Sequence, residues 1–353
     1  MKFQEDANDA VALLRQLIAI SSFSKDEKAV ADFIERYIEM KGYVAVRKEN
    51  NVWLLSPGFD PTRPTVLLNS HIDTVKPVAG WVHDPFAPTI ESGKLFGLGS
   101  NDAGASVVSL MHAFFYLTQQ QQSYNLIFAA SAEEEISGKN GIESLLHELP
   151  EIDFAIVGEP TGMNMAVAEK GLMVLDCVAQ GQAGHAARNE GDNAIYKALP
   201  AIEWFSTFEF DRKSDLLGAV KMTVTQINAG TQHNVIPDKC SFVVDVRSNE
   251  MYSNQEILDE IRMHVSCDVQ PRSTRLSSTA TPLDHAVVKR GRELNRSVFG
   301  SPTLSDQALM PFPSLKMGPG ESSRSHTADE YILLSEIEEA IEIYVQLLDG
   351  LKL

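Results

Sequence analysis

The chain has 353 residues, of which 44% are hydrophobic and 22% charged, the balance of an ordinary globular protein large enough for two cores. A formal net charge of -18 argues against nucleic acid and anionic membrane surfaces as partners, because their phosphates are bound by clustered Lys and Arg. Cys177, Cys240 and Cys267 have neither the number nor the spacing of a disulfide framework or a zinc ribbon, so a reducing cytoplasm is the expected location.

The segment Met1 to Ala10 carries Glu5, Asp6 and Asp9 where a secretory signal would be basic, and no apolar run reaches the roughly 18 residues of a membrane span. From Ser24 the SKDE segment has the form of a capping box, with Glu27 three residues on; Val30, Phe33, Ile34, Tyr37 and Ile38 then follow at helical spacing until Gly42. An exposed-looking strand is expected at Val52 to Leu55, then a Pro-rich turn, then a buried strand from Thr65 that ends at His71. Strand alternation puts His71 and Asp73 on one side, where the carboxylate can orient a metal-binding imidazole. Asp102, in the glycine-rich turn Gly97 to Gly104 before a helical stretch to Leu117, is either an N-cap or a carboxylate aimed into a cleft.

Leu126 to Ala130 and Ile152 to Val157 read as further buried strands, so the first part of the chain is α/β. Glu133, Glu134 and Glu135 follow the former and Glu159 the latter. They are either solvated loop ends or, at the carboxyl ends of strands, part of one site in which one glutamate holds metal and its neighbour moves protons. From about Gly171 to Thr274 the pattern changes to period-two strands, as in Cys240, Phe242, Val244 and Val246, and a separate α+β domain is expected. Helical spacing returns at Asp284 to Phe299 and in a last helix opened by a Ser335 to Glu338 capping box, which gives a first domain of 1-170 and 275-353 with 171-274 inserted. His326 lies between, in a glycine-proline loop ahead of Asp329 and Glu330. His71, Asp102, Glu135, Glu159 and His326 together offer two imidazoles and three carboxylates, a set suited to zinc, cobalt or manganese. His112, His147 and His285 lie in or at helical patterns and read as packing or surface residues; Trp81 and Phe86 either wall a pocket or pack.

In order, the motifs are HxD at His71, GxGSxD ending at Asp102, EEE at Glu133, GEP around Glu159, and GPG from Gly318 with a late His326. The series resembles, over essentially the whole chain, the co-catalytic metallohydrolase family of acetylornithine deacetylase, succinyl-diaminopimelate desuccinylase, aminoacylase and glutamate carboxypeptidase. The GPG-to-Tyr331 block is most similar to acetylornithine deacetylase. The resemblance implies a catalytic domain with a mixed sheet flanked by helices, plus an inserted smaller α+β lid and dimerisation domain. It implies two divalent ions, zinc before cobalt or manganese, with Asp102 bridging, His71 and Glu159 on one ion, and Glu135 and His326 on the other. Glu134 would be the general base, and Asp73, orienting His71, is counted with it among the catalytic residues. In the smaller domain, His185 of Gly181 to His185 would polarise the substrate's amide oxygen across a homodimer, with Asn234 of Asn234 to Asp238 nearby and Arg247 holding the substrate carboxylate. Arg324 is either a contact to a substrate carboxylate, which leaves an N-succinyl group possible, or else a surface arginine or part of a structural ion pair. The expected activity is hydrolysis of an N-acyl amino acid, N-acetyl-ornithine or N-succinyl-ornithine, in arginine biosynthesis. A dipeptidase or carboxypeptidase of the same family is the alternative, and a non-catalytic binding protein a remote one. Leu98 for a frequent arginine, Ala103 and Gly104 for Met-Lys, and Ala186 and Ala187 for serines depart from the pattern without removing a ligand.

Overall fold

Strands that carry apolar residues on both faces must be covered on both faces, and the central sheet is built from such strands. In the computed structural model, which describes residues 3–188 and 190–353, Thr65–His71, Asn125–Ser131 and Phe154–Val157 are buried throughout. Thr65–His71 lies between the other two and parallel to both, with His71 opposite Ser131. Ser314–Lys316 continues the parallel set beside Phe154–Val157. Val46–Lys48, Asn51–Leu55 and Met165–Glu169 extend the sheet with antiparallel pairings, so it is mixed. Asn51–Leu55 was expected at the surface; instead Val52, Trp53 and Leu54 are buried, because pairing with Asn125–Ser131 carries that strand into the core.

One face of this sheet is covered by Ala105–Thr118, a helix apolar nearly all round and hence buried all round, packed between Gln4–Ile18 and Leu334–Leu348. The other carries a cluster in which Leu67, Ile127, Ala129, Ala155 and Val157 meet Ile142, Leu145 and Met310. The unit so formed runs to Val167 and resumes over Ala280–Phe299 and Ser305–Leu353.

The second unit comprises Ala168–Thr279 and Gly300–Leu304. Its antiparallel sheet has the order Lys221–Ala229, Lys239–Arg247, Met173–Gln180, Asp268–Pro271. Cys240, Phe242, Val244 and Val246 point inward at every second position, against the helices Ala194–Thr207 and Asn254–His264.

Three local expectations are corrected. Glu27 forms no capping box with Ser24; its buried carboxylate accepts the N–H groups of Lys25 and Glu133 and the amide of Asn50. The last helix starts at Leu334, where Glu336, rather than Glu338, takes the N–H of Leu333. The stretch from Asp284 is helical only over Ala286–Glu293, because Asn295 adopts a left-handed conformation, and Phe299 belongs to the strand Val298–Ser301. No helix among the described residues is long and apolar enough to cross a membrane.

Candidate active site

Four parallel strands end at one edge of the central sheet, and the chain turns there into the loops that carry most of the acidic residues singled out in the sequence. His71 is the last residue of its strand, Glu133 to Glu135 follow Ser131, Glu159 follows Val157 by two residues, and the loop to His326 leaves from Lys316. The structure brings these side chains together with Asp102. Asp102 Oδ1 lies 3.2 Å from His71 Nε2, and its Oδ2 lies 3.6 Å from His326 Nε2. Glu159 stands 3.8 Å from the same nitrogen of His71, and Glu135 3.0 Å from that of His326. The ligand atoms of His71, Glu134 and Glu159 fall within 4.8 Å of one another, as do those of His71, Asp102 and Glu135.

Asp102 is not a helix N-cap. It sits in a tight turn, Ser100–Gly104, with φ -122° and ψ 96°, before the helix that begins at Ala105. Gly99 opens that turn at φ +73°, a conformation that costs glycine nothing. The imidazole of His71 donates from Nδ1 to the carbonyl oxygen of Asp73 at 2.9 Å, and the Asp73 carboxylate is farther, at 3.5 Å. That bond orients the ring and leaves Nε2 facing the carboxylates. The Asp73 carboxylate has other work. It accepts the N–H groups of Glu134 at 3.0 Å and Glu135 at 3.1 Å, and the hydroxyl of Ser24 at 2.7 Å. Asp73 therefore ties the His71 strand to the glutamate loop, and Ser24, read in the sequence as a capping residue, completes it.

Carboxylates outnumber imidazoles here, and their proton affinities record the crowding. Burial, then the charges of Glu159, Asp306 and Glu135, push Glu134 well above the carboxylate range against the pull of His71. Burial and Asp102 carry Glu159 up to about 8. Asp306, buried and bonded to Ser131 at 2.6 Å and Asn69 at 2.8 Å, rises to about 6, chiefly through burial. Despite burial, bonds to Asp102 and Asp73 lift His71 well above the imidazole range. His326 rises to about 9 through Glu135 and Asp102. Asp102 and Asp73, although buried, are held low, with their bonds to His71 the largest opposing cause.

The smaller unit carries His185, Asn234 and Arg247. Gly184–His185 pairs with Val235–Ile236, and Ala186 donates its N–H to the carbonyl of Asn234, so His185, at the end of one short strand, and Asn234, in the turn just before the other, are exposed neighbours. Arg247 closes on Asp245 through Nε at 2.8 Å and a second nitrogen at 3.1 Å. Arg324 forms a bidentate pair with Glu336 at 2.7 and 3.0 Å and lies over the ring of Tyr331; of the readings of Arg324, the structural ion pair is the one observed. His285 caps its helix and stacks on Phe154. His112 is buried beside Tyr37, and Phe86 meets Phe23 edge to face.

The roles that Ser24, Asn101, Asp306 and Glu330 take here left no sign in the sequence. Their partners are dozens to hundreds of positions away, so no local spacing marks them.

Residues 67–350 match the model of peptidase family M20/M25/M40. The chain is 28% identical to acetylornithine deacetylase of Proteus mirabilis, with 96% of each chain covered. It is 27% identical to succinyl-diaminopimelate desuccinylase of Corynebacterium glutamicum, again with 96% of each covered. These two likenesses differ by one percentage point in identity, so they do not set the deacetylase above the desuccinylase. Among solved structures, aminopeptidase PepT from Bacillus cereus superposes with a TM-score of 0.80 at 18% identity, over 97% of this chain and 98% of that one. The YXEP protein of Bacillus subtilis, a dinuclear metal binding peptidase, superposes at 0.74 with 16% identity and 98% of each chain covered.

Proposed function

Because the chain belongs to peptidase family M20/M25/M40, we propose that it is a two-metal amidohydrolase that removes a small acyl group from the nitrogen of an amino acid. The observation that carries this reading is the placement of Asp102, with one oxygen toward His71 and Glu159 and the other toward His326 and Glu135. A partly buried surplus of carboxylates around two imidazoles is a donor set that fits divalent cations and is costly without them. His71 and Glu159 would hold one ion, Glu135 and His326 the other, and Asp102 both; zinc suits the N and O donors best, with cobalt or manganese next. When bound, such ions polarise the acyl carbonyl and make water a competent nucleophile near neutral pH.

The protein's own groups move the protons. Glu134 takes the proton of the attacking water and delivers it to the leaving nitrogen; its proton affinity, raised without cations, would be drawn back down by cations on the neighbouring ligands, which frees it to act as base. Asp73, through the N–H groups of Glu134 and Glu135, holds the base and its neighbouring ligand in register. His185, with Asn234 beside it, polarises the amide oxygen. Arg247, its guanidinium steadied by Asp245, receives the substrate carboxylate. The smaller unit is read as the lid and dimerisation domain of a homodimer.

For substrate, N-acetyl-ornithine is the first reading, which would place the enzyme in arginine biosynthesis. Arg324 is engaged by Glu336, and that pairing lends no support to a succinyl group. The likeness to a desuccinylase keeps N-succinyl diamino acids as the second reading. The test is release of the free amino acid from N-acetyl-ornithine, N-succinyl-ornithine and N-succinyl-diaminopimelate, detected with ninhydrin, by metal-loaded and chelator-treated protein. Chelator-sensitive turnover of one of them is expected. Cleavage of dipeptides alone would make the protein a peptidase, and loss of no activity on chelation would end the two-metal proposal.

A further inference from the structure

Glu330 is 2% exposed, yet among the described residues no lysine or arginine forms an ion pair with it. Its oxygens are met by main-chain dipoles: the N–H groups of Gly99, Asn101 and Asp102 reach them at 2.9, 2.8 and 2.9 Å. Its own carbonyl accepts the N–H of Gly97 at 3.0 Å. The turn that presents Asp102 is thus wrapped around one carboxylate, a nest of N–H groups of the kind that elsewhere receives a bound anion.

A buried carboxyl group without a cation is an expensive way to hold a loop, whether it is kept charged or kept protonated, since uncharged hydrogen-bonding side chains would satisfy the same donors. Asn101 shows what else the arrangement does. Its amide nitrogen donates to the carbonyl of Glu321 at 3.1 Å and to the hydroxyl of Ser325 at 3.2 Å, and its oxygen accepts the N–H of Glu321 at 3.1 Å. Ser325 adjoins His326. Gly320, at φ +82°, leaves the room, because a side chain there would land on Asn101. The turn of Asp102 and the loop of His326, more than two hundred positions apart in sequence, are therefore stapled together by Asn101 and anchored by Glu330.

We infer that Glu330 is a positioning residue for metal binding: through the N–H groups of Gly99, Asn101 and Asp102 it sets the direction of the Asp102 carboxylate, and through Asn101 it fixes that carboxylate relative to His326. The inference rests on the two-metal reading and adds to it a residue that touches neither metal nor substrate.

The experiment is a cobalt(II) titration of metal-stripped full-length protein, followed by the visible absorbance of the bound ion and by competition with a chelating dye. E330Q keeps the size of the side chain but turns an amino group toward N–H donors, and it is expected to bind cobalt about 10- to 100-fold more weakly, with an altered spectrum. N101A leaves Glu330 and every proposed ligand in place and should weaken binding in the same direction, so it carries the test should E330Q fail to fold. The exposed variant E339Q on the last helix should leave the titration unchanged. Unaltered affinity and spectrum in either folded variant, even with a lowered Tm, would reduce Glu330 to a structural cap and overturn the inference alone. A wild-type chain that took up no cobalt would overturn the two-metal reading and the inference together.

Discussion

Glu134 sits where burial and neighbouring carboxylates favour its protonated form, and it lies within reach of both His71 and Glu159. Replacing it with Gln removes the exchangeable proton and little else. E134Q is expected to lower kcat by about 10²- to 10⁴-fold while metal content stays that of the wild type. Full activity in a metal-replete E134Q protein would remove Glu134 from the chemistry. At this scale the sequence was most informative where a side chain's position follows from its place on a strand. His71, Glu135 and Glu159 stand just past apolar runs, and strand ends of an α/β sheet converge. Asp102 stayed ambiguous because a glycine-rich turn before a helix suits an N-cap as well as a ligand. Asp73 was read as the partner of the His71 imidazole; its carboxylate lies 3.5 Å from that ring while its carbonyl makes the shorter bond, and the carboxylate also serves Glu134, Glu135 and Ser24. A two-residue spacing carries no information about which oxygen of a residue is used.

Helices show the same division between local and distant causes. S-x-x-E was read as a capping box at Ser24 and Ser335, where tertiary partners recruit Ser24 and Glu27, and Glu336 displaces Glu338. The box that does form in the smaller unit, Ser253 with Glu256, went unremarked. The Ala105–Thr118 helix was legible because its composition is apolar on every side, and the same burial gives it a pH-sensitive element. His112, beside Tyr37 and Phe115, is lowered to about 4, first by burial and then by Lys41. With the folded value below the ordinary 6.5, the unfolded chain binds the proton more readily, so this stability is present above pH 6.5 and is lost as pH falls toward about 4. The shift corresponds to roughly 3 kcal/mol across that window. In thermal unfolding followed from about pH 7 to about pH 4, H112F should flatten the acid limb relative to wild type. Parallel curves for the two proteins would show that His112 is protonated without cost.

Across the whole molecule the proposed metal centre and the pH response should be one property. Without cations, Glu159 and Glu330 are raised to about 8 and His326 to about 9. Each then binds its proton more tightly folded than unfolded, where the ordinary values are 4.5 for the glutamates and 6.5 for the histidine. The stability contributed by these shifts is complete below the unfolded values and is lost as pH climbs through about 8 to 9. Asp102 and Asp73 are shifted the other way, and their contribution is present throughout this range because it fails only in acid. Chelator-treated protein should therefore lose several degrees of Tm between about pH 6 and about pH 9. Cations that bind the folded state alone take over the neutralising task of the protons and stabilise by mass action. Metal-saturated protein should thus show both a higher Tm and a flatter profile over the same range, read by calorimetry on the two forms side by side. If the profiles ran parallel, the surplus of carboxylates would be relieved by something other than bound metal, and the electrostatic basis of the two-metal proposal would fail even in an enzyme that hydrolysed its substrate.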